Sequence, residues 1–416
     1  MLTFNFSQNI KNQFNETELA NKFSKIINDE KLGFFKLVER QELISESKIA
    51  FEKFKTKKHF VHVGIGGSSL GTEMLIKALN NNPEVKFTFI NNIDPDEIYD
   101  QIKQVNLKEA VFFFCSKSGG TAEPMAAMAI ITNLLEQEGI PLNDLKNHYV
   151  FATDPLKSEL LNIGRELGIQ CLEIPSNVGG RFSALSPVGL FPALFAKINI
   201  DELFLGAKEF GETLKEESAT NPLFTCSQYL LKLKDSGINQ TVLMPYSSKL
   251  RELSFWFTQL WAESLGKKFD LNGNIINTGL TPIPAYGPTD QHSQMQLFME
   301  GPFDKCLVLL EVENFHQDFS LKSNFKGRAF EKLNGHKLSD LMKAEFHGTL
   351  RALKEAERPF IHISINQLNE RTLASLVLFF ESLTALMGDL MQINPFDQPG
   401  VEAGKIFAYE FLEKGQ

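Results

Sequence analysis

The apolar residues of the chain follow two spacings that alternate along most of its length. From His59 onward, short apolar runs typical of buried parallel strands are separated by longer stretches with helical periodicity. The pattern predicts strands at 60–65, 86–91, 111–115, 149–153 and 170–174, with helices such as 72–79, 122–136 and 187–198. This alternation predicts a parallel sheet with helices on both faces, which is an α/β fold.

The second half of the chain repeats the alternation. It predicts strands at 241–246, 306–312 and 360–365, and helices at 249–265, 291–300, 338–357 and 371–386. The charged helical stretch 201–220 lies between the halves, so we place a domain boundary there. Two α/β subdomains with parallel-rich sheets are therefore expected, at 48–200 and 201–390.

The two ends of the chain carry different patterns. Residues 1–47 are polar and periodic without a strong strand, which predicts a helical segment packed against the body of the protein. In the tail, 391–416, Pro399 stands where it suits the start of a helix. We expect a final helix that folds back onto the body.

Composition and charge narrow the class of protein. The chain has 416 residues, 43% of them hydrophobic and 22% charged, with a net charge of −9 and no basic stripe, which argues against a nucleic-acid partner. The start lacks a signal peptide pattern, and Glu381 interrupts the most apolar helical stretch, so neither export nor a membrane partner is expected. The four cysteines fit neither a zinc site nor a disulfide scaffold, which favours a cytoplasmic protein with reduced thiols.

The segment 116–121 reads Ser-Lys-Ser-Gly-Gly-Thr and directly follows an apolar run. Three hydroxyls and two glycines at the turn from a strand into a helix bring backbone N–H groups and the positive helix end toward an anion, with phosphate as the expected ligand. Hydroxyl-rich turns also serve as helix caps without any ligand. Both interpretations stay open on this segment alone.

Two further glycine loops follow predicted strands. Residues 64–71 read Gly-Ile-Gly-Gly-Ser-Ser-Leu-Gly, which is not the dinucleotide-binding spacing, because Ser69 stands where its third glycine would be. Residues 177–183 place Arg181 between a Gly-Gly pair and Phe182, where it could hold an oxyanion or bridge two loops structurally. Since the carboxyl ends of parallel strands share one edge, the three loops are expected to converge.

An acid and a histidine complete the candidate chemistry. Glu263 lies at the edge of an apolar helical stripe, where it could act as a base, although a solvated glutamate or a pair with Lys267 at i+4 fits equally well. His292 has glycine and amide neighbours and could pass a proton at physiological pH, and we group it with Lys405 of the tail.

Two long stretches, 177–189 and 388–405, together with the loops above, closely resemble the glucose-6-phosphate isomerase family of the sugar-isomerase superfamily. The resemblance extends from about Val61 to Lys405 and implies two αβα subdomains and a homodimer. It also implies interconversion of glucose 6-phosphate and fructose 6-phosphate without a metal or an organic cofactor. The chain is shorter than many members, so we expect trimmed loops or arms.

The resemblance assigns roles to individual residues. The base falls on Glu263, the ring-opening histidine on His292, the arginine on Arg181, and the tail pair on Gln398 and Lys405. The phosphate loop falls on Ser116, Lys117, Ser118 and Thr121, and the first glycine loop on Gly67 and Ser68. The resemblance also implies that His292 enters the active site from the neighbouring subunit.

Two rival functions remain at this point. Another isomerase of the superfamily could also accept mannose 6-phosphate, which differs only at C2. A regulator that binds sugar phosphates could keep the fold and lose the base, but phosphate binding alone would need none of Glu263, His292 and Lys405.

Overall fold

The computed structural model of the protein describes residues 2–8 and 13–414. Its strands are β1 (Leu2–Phe6), β2 (His59–Val63), β3 (Lys86–Ile90), β4 (Ala110–Cys115), β5 (Tyr149–Thr153), β6 (Gln170–Glu173), β7 (Gln240–Pro245), β8 (Lys267–Phe269), β9 (Ile275–Thr278), β10 (Thr281–Pro284), β11 (Lys305–Asn314) and β12 (Phe360–Gln367). Its helices are α1 (Glu16–Asn28), α2 (Gln41–Phe54), α3 (Leu70–Leu79), α4 (Pro95–Ile102), α5 (Ala122–Gln137), α6 (Glu159–Leu167), α7 (Pro187–Phe195), α8 (Ile200–Lys215), α9 (Pro222–Asp235), α10 (Arg251–Leu265), α11 (Met295–Glu300), α12 (Arg328–Leu333), α13 (Leu338–Glu355), α14 (Glu370–Leu390) and α15 (Glu402–Lys414).

The first sheet has the order β3-β2-β4-β5-β6, and all its strands are parallel. The strand β4 is buried along its whole length, as expected for an apolar run covered on both faces. The chain goes from β2 outward to β3 and then returns to the other side of β2. In doubly wound sheets, ligands bind at such a reversal of strand order, here at the carboxyl ends of β2 and β4.

The second sheet has the order β1-β12-β11-β7-β10. The strands β12, β11, β7 and β10 are parallel, and β1 pairs with β12 in the antiparallel direction. A short antiparallel pair, β8 and β9, follows α10. The predicted α/β class with parallel-rich sheets is confirmed.

The two halves share hydrophobic packing. One large cluster of buried side chains includes Met74 and Leu75 of α3 together with Leu243 of β7 and Leu310 of β11. The predicted connector 201–220 contains α8, which packs along α14 of the second half. The exact division at 200/201 stays a prediction, but α8 is part of the core and not a linker.

The prediction of an all-helical N-terminal segment at 1–47 is wrong for Leu2–Phe6, which form the edge strand β1. Leu2, Phe4 and Phe6 point to the protein side, and the Phe4 ring lies 4.8 Å from that of Phe379. This alternation is only five residues long, and an edge strand needs no continuous apolar run. The expected helices are present as α1 and α2.

The tail forms the expected helix α15, but it does not pack against the body as predicted. The side chains of 402–413 are exposed. The Tyr409 hydroxyl donates to the Gly120 carbonyl oxygen at 3.5 Å, so the helix passes near the loop after β4. The helix predicted at 291–300 is also shorter, because Thr289–His292 form a 3₁₀ turn before α11.

Among the described residues, α14 alone is long and apolar enough to span a membrane by length and composition. Its most apolar window is 94% buried inside the protein, as in the core helix of a soluble fold. The helix therefore gives only weak support for a membrane span.

Candidate active site

The loop 116–121 offers an anion-binding turn at the start of α5. The hydroxyls of Ser116 and Thr121 lie 2.8 Å apart, and the Gly119 N–H donates to Ser116 Oγ at 3.1 Å. Within the described chain, no side chain caps α5, so its first N–H groups and its positive end are available to a ligand. Gly119 has φ +74°, and a Cβ there would lie 2.1 Å from Ser158 Oγ, so the turn requires glycine.

The Lys117 side chain serves a neighbouring loop. Its ammonium donates to the carbonyl oxygens of Ser176 (2.7 Å) and Val178 (2.9 Å). Burial lowers the pKa of Lys117 from its ordinary value, and Asp154 partly opposes this shift. The lysine thereby ties the phosphate-loop candidate to the loop that carries Arg181.

The glycine loop after β2 packs directly on that arginine loop. A Cβ on Gly67 would lie 2.3 Å from the Gly180 carbonyl carbon and 2.5 Å from the Arg181 nitrogen, so only glycine fits at position 67. The backbone of the neighbouring Ser68 is held in place, because its carbonyl oxygen lies 2.7 Å from Nε2 of the buried His62. The expected convergence of the three loops is thus present in the structure.

The guanidinium of Arg181 is buried and binds the tail through several donors. Nη1 donates to Gln398 Oε1 at 2.9 Å, and Nη2 donates to the carbonyl oxygens of Pro395 (2.6 Å) and Asp397 (3.2 Å). Nε donates to the Ser264 hydroxyl at 2.7 Å. Arg181 therefore does bridge its own loop to the tail, which was the structural role left open by the sequence.

The same guanidinium faces Glu263. Arg181 Nη1 lies 3.5 Å from Glu263 Oε1, which forms an ion pair with it. Burial lowers the pKa of Arg181, and the carboxylates of Glu263 and Asp397 oppose this shift. With four hydrogen bonds to protein oxygens, Arg181 provides fixed positive charge beside Glu263.

Glu263 occupies the exposed edge of α10, with 23% of its side chain exposed. Its Oε2 accepts a hydrogen bond from Gln259 Nε2 at 3.1 Å, one turn earlier on the helix. One alternative from the sequence was an ion pair between Lys267 and this carboxylate. Lys267 instead donates a hydrogen bond to the Glu263 carbonyl oxygen at 3.0 Å. The carboxylate is therefore oriented by Gln259 and Arg181, and one edge stays open to a ligand.

Glu263 faces a cavity of about 770 Å³ between α10 and the tail. Gln398 lines the same cavity, and its Oε1 is taken by Arg181, so its amide NH₂ is the group left for a ligand. Gln259 and Lys267 also line the cavity. The structure thus brings together Glu263, Arg181 and Gln398, which the sequence had only placed in separate motifs.

Two predicted catalytic residues lie outside this group. His292 is exposed in its 3₁₀ turn and does not line the cavity. Lys405 is exposed on α15 and pairs with Glu402 at 2.9 Å. Among the described residues, no hydrogen bond or ion pair joins His292 to Lys405 or either of them to Glu263. Lys405 precedes Tyr409 by four residues, so both share the helix face that reaches Gly120.

The sequence patterns did not single out Gln259, and they indicated Lys267 only as a possible ion-pair partner of Glu263. Both lie four residues from Glu263, on the same helical face, so this spacing could have indicated them. Among the described residues, no group of three or more acidic, histidine or cysteine side chains could hold a metal ion.

Comparison with known proteins shows to which family the chain belongs. A sequence model of the family described as phosphoglucose isomerase matches residues 35–416. The chain belongs to the phosphoglucose isomerase family. A family relative, the glucose-6-phosphate isomerase of Carboxydothermus hydrogenoformans, is 40% identical over 395 residues, which cover 92% of this chain and 85% of the relative.

Two solved structures have a similar fold. A hypothetical protein of Thermus thermophilus matches with a TM-score of 0.90 at 34% identity, covering 95% of this chain and 94% of that chain. A glucose-6-phosphate isomerase of Chlamydia trachomatis matches with a TM-score of 0.80 at 24% identity, covering 95% of this chain and 78% of that chain. At that lower identity, the second match supports the fold alone.

Proposed function

We propose that the protein interconverts glucose 6-phosphate and fructose 6-phosphate as an aldose–ketose isomerase. The observation that carries the proposal is the Glu263 carboxylate, which opens onto the cavity while Gln259 and Arg181 orient it. Membership of the phosphoglucose isomerase family supports the substrate pair. A sugar-phosphate regulator would have no use for a carboxylate held in this way.

Proton transfer is assigned to Glu263. It removes the C2 proton of the open-chain aldose and returns it to C1 through a cis-enediol, so one base on one face serves both directions. The intermediate carries negative charge on its oxygens. Arg181 stabilises this charge mainly through its field, because four of its five N–H groups donate to protein oxygens. Gln398, fixed by Arg181, offers its amide NH₂ to the substrate.

The phosphate group is assigned to the loop 116–121. Its hydroxyls and the free N–H groups at the start of α5 bind the distal end of the substrate and hold the sugar chain across the glycine loop at Gly67 and Ser68. Since the Lys117 ammonium is committed to two carbonyl oxygens, its contribution comes from the backbone N–H. Binding energy gained here is used for orientation at Glu263.

Ring opening is assigned to His292 with Lys405, which move a proton between the ring oxygen and the hydroxyl at C1 or C2. The exposed position of His292, away from the cavity of its own chain, favours a homodimer in which His292 enters the site of the neighbouring subunit. The proton transfers assigned here use side chains alone. The four free cysteines suit a cytoplasmic location.

A coupled assay tests the proposal. Fructose 6-phosphate is supplied, and the glucose 6-phosphate formed is detected with its NADP-dependent dehydrogenase, with mannose 6-phosphate tested alongside. We expect turnover of fructose 6-phosphate without added metal. Absence of turnover by the folded protein would overturn the proposed function.

A further inference from the structure

Lys267 is a buried lysine whose three donors are all used within the protein. Its side chain is 7% exposed. The ammonium donates to the carbonyl oxygens of Glu263 and Asp397 and pairs with Asp397 Oδ1 at 3.2 Å. An ammonium has three N–H groups, so none is left for a substrate, although the side chain lines the cavity. Lys267 therefore acts on the protein and does not bind the ligand.

The groups that Lys267 joins belong to two separate elements. Glu263 contributes one of the last carbonyl groups of α10, which have no partner within a helix. Asp397 belongs to the tail segment 395–398, which Arg181 also binds through the carbonyl oxygens of Pro395 and Asp397. Two buried cations thus hold the same four-residue segment against the end of the helix that carries the base.

We propose that Lys267 is a positioning residue that fastens the tail segment 395–398 to the end of α10 and so holds Gln398 beside Arg181. The role in turnover rests on the proposed function. Gln398 directly follows Asp397, and α15 with Lys405 begins only four residues later, so a shift at Asp397 moves both predicted substrate contacts. Displacements of about 1 Å can reduce turnover by about a hundredfold.

The test compares Lys267→Met with Lys305→Met. Lys305 is also buried and paired with a neighbouring aspartate, Asp304, but it lies at the amino end of β11, on the opposite edge of the second sheet from the ligand-binding side. Both substitutions remove a buried lysine and leave an aspartate without its lysine partner. The control thus measures how much turnover is lost when a buried, paired lysine is removed away from the site.

For Lys267→Met we expect kcat for fructose 6-phosphate to fall by about 10- to 100-fold, with inhibition by inorganic phosphate changed less than twofold. The phosphate loop does not depend on Lys267, so a purely global defect would alter both. Lys305→Met should keep kcat per folded enzyme within twofold of wild type. Lys267→Arg, which can still donate to both carbonyl oxygens, should restore much of kcat.

Asp397→Asn gives a second, milder variant, which also serves if Lys267→Met does not fold. If Asp397 acts through Lys267, the double variant should lose no more kcat than Lys267→Met alone. Equal kcat for Lys267→Met and wild type, or an equal loss in Lys305→Met, would overturn the proposal. So would fully additive losses in the double variant.

Hydrogen exchange separates this proposal from the proposed function, because it needs no turnover. Amides of 396–405 should exchange faster in Lys267→Met or Asp397→Asn than in wild type and in Lys305→Met. If wild type does not convert fructose 6-phosphate but this difference is seen, the proposed function fails and the tail attachment stands. Unchanged exchange in both variants would overturn the attachment itself.

Discussion

Arg181 and Gln398 are 217 positions apart in the chain, yet Nη1 of the arginine donates to Oε1 of the glutamine at 2.9 Å. This bond joins the tail to the loop of the first half of the fold that carries Arg181. It also fixes the orientation of the Gln398 amide, because only its oxygen can accept from a guanidinium. The arrangement places the Gln398 amide and the Glu263 carboxylate on a single cavity, with the Arg181 guanidinium in contact with both.

Glu263→Gln should lose nearly all isomerase activity and still bind sugar phosphate. The amide keeps the size of the carboxylate but cannot accept the C2 proton. It can also be accommodated, because Gln259 Oε1 is buried without a partner and its amide can turn to accept a hydrogen bond. We expect kcat to fall by at least about a hundredfold, measured with fructose 6-phosphate.

The control for this variant is Glu252→Gln, in the first turn of the same helix. It should keep wild-type turnover, and both variants should bind 6-phosphogluconate in calorimetry. A Glu263→Gln enzyme with more than about a hundredth of wild-type kcat would assign the base to another residue.

Replacing Ser116, Ser118 and Thr121 together by alanine should raise KM for fructose 6-phosphate and weaken competition by inorganic phosphate. The hydroxyls are lost, while the glycine turn and the start of α5 remain, so binding should weaken without disappearing. Inhibition kinetics measure both effects. Thr132→Ala, on the same helix but bonded to Met128 and Tyr149, should change neither quantity. Unchanged phosphate inhibition in the triple variant would mean that the loop is wrongly assigned.

Much of the fold could be predicted because the parallel strands are buried on both faces and show as apolar runs. Strand β1 could not, since an edge strand of five residues needs only one covered face. The glycine and hydroxyl loops could be predicted because each is a short run of adjacent residues in the sequence. The bonds from Arg181 and Lys267 to the tail could not be predicted, because they depend on how distant loops meet. An arginine between a glycine pair and a phenylalanine is compatible with either substrate binding or loop bridging until its partners are known.

His62 should make the protein less stable in mild acid. Its ring is buried between Phe89 and Phe113, and burial lowers its pKa from 6.5 to about 4. Between those values the unfolded chain binds a proton that the folded protein excludes, so stability falls as the pH drops through this window. From pH 7 to pH 5 the free energy of unfolding should fall by about 2 kcal/mol on account of this residue.

Urea unfolding of wild type and His62→Gln at fixed protein concentration measures this effect. The glutamine can still donate to the Ser68 carbonyl oxygen but has no proton to gain in this range. His336→Gln, at an exposed histidine, should leave the wild-type pH dependence intact. His59 and His148, whose pKa values burial also lowers, remain in all three proteins, so the difference isolates His62. Equal slopes in wild type and His62→Gln would contradict the prediction.

The last prediction concerns the neighbouring subunit. His292 is exposed and lies outside the cavity that Glu263 faces, which is the arrangement expected if each site combines two chains. A dimer of one Glu263→Gln chain and one His292→Ala chain should then hold one site with both defects and one with none. Co-refolding at equal amounts makes half the dimers mixed, so roughly a quarter of wild-type turnover should return.

The measurement is fructose 6-phosphate turnover before and after co-refolding, with each mutant homodimer as its own baseline. Mass spectrometry under native conditions reports the fraction of mixed dimers, so the recovered activity can be scaled to it. A second mixture, Glu263→Gln with Lys267→Met, tests whether the tail attachment and the base belong to one chain. If they do, both residues act on the same site, and each mixed dimer keeps one defect in each site. Turnover should then not rise above the average of the two homodimers. Turnover that stays at baseline in the first mixture, although mixed dimers are present, would place Glu263 and His292 of one chain in the same site.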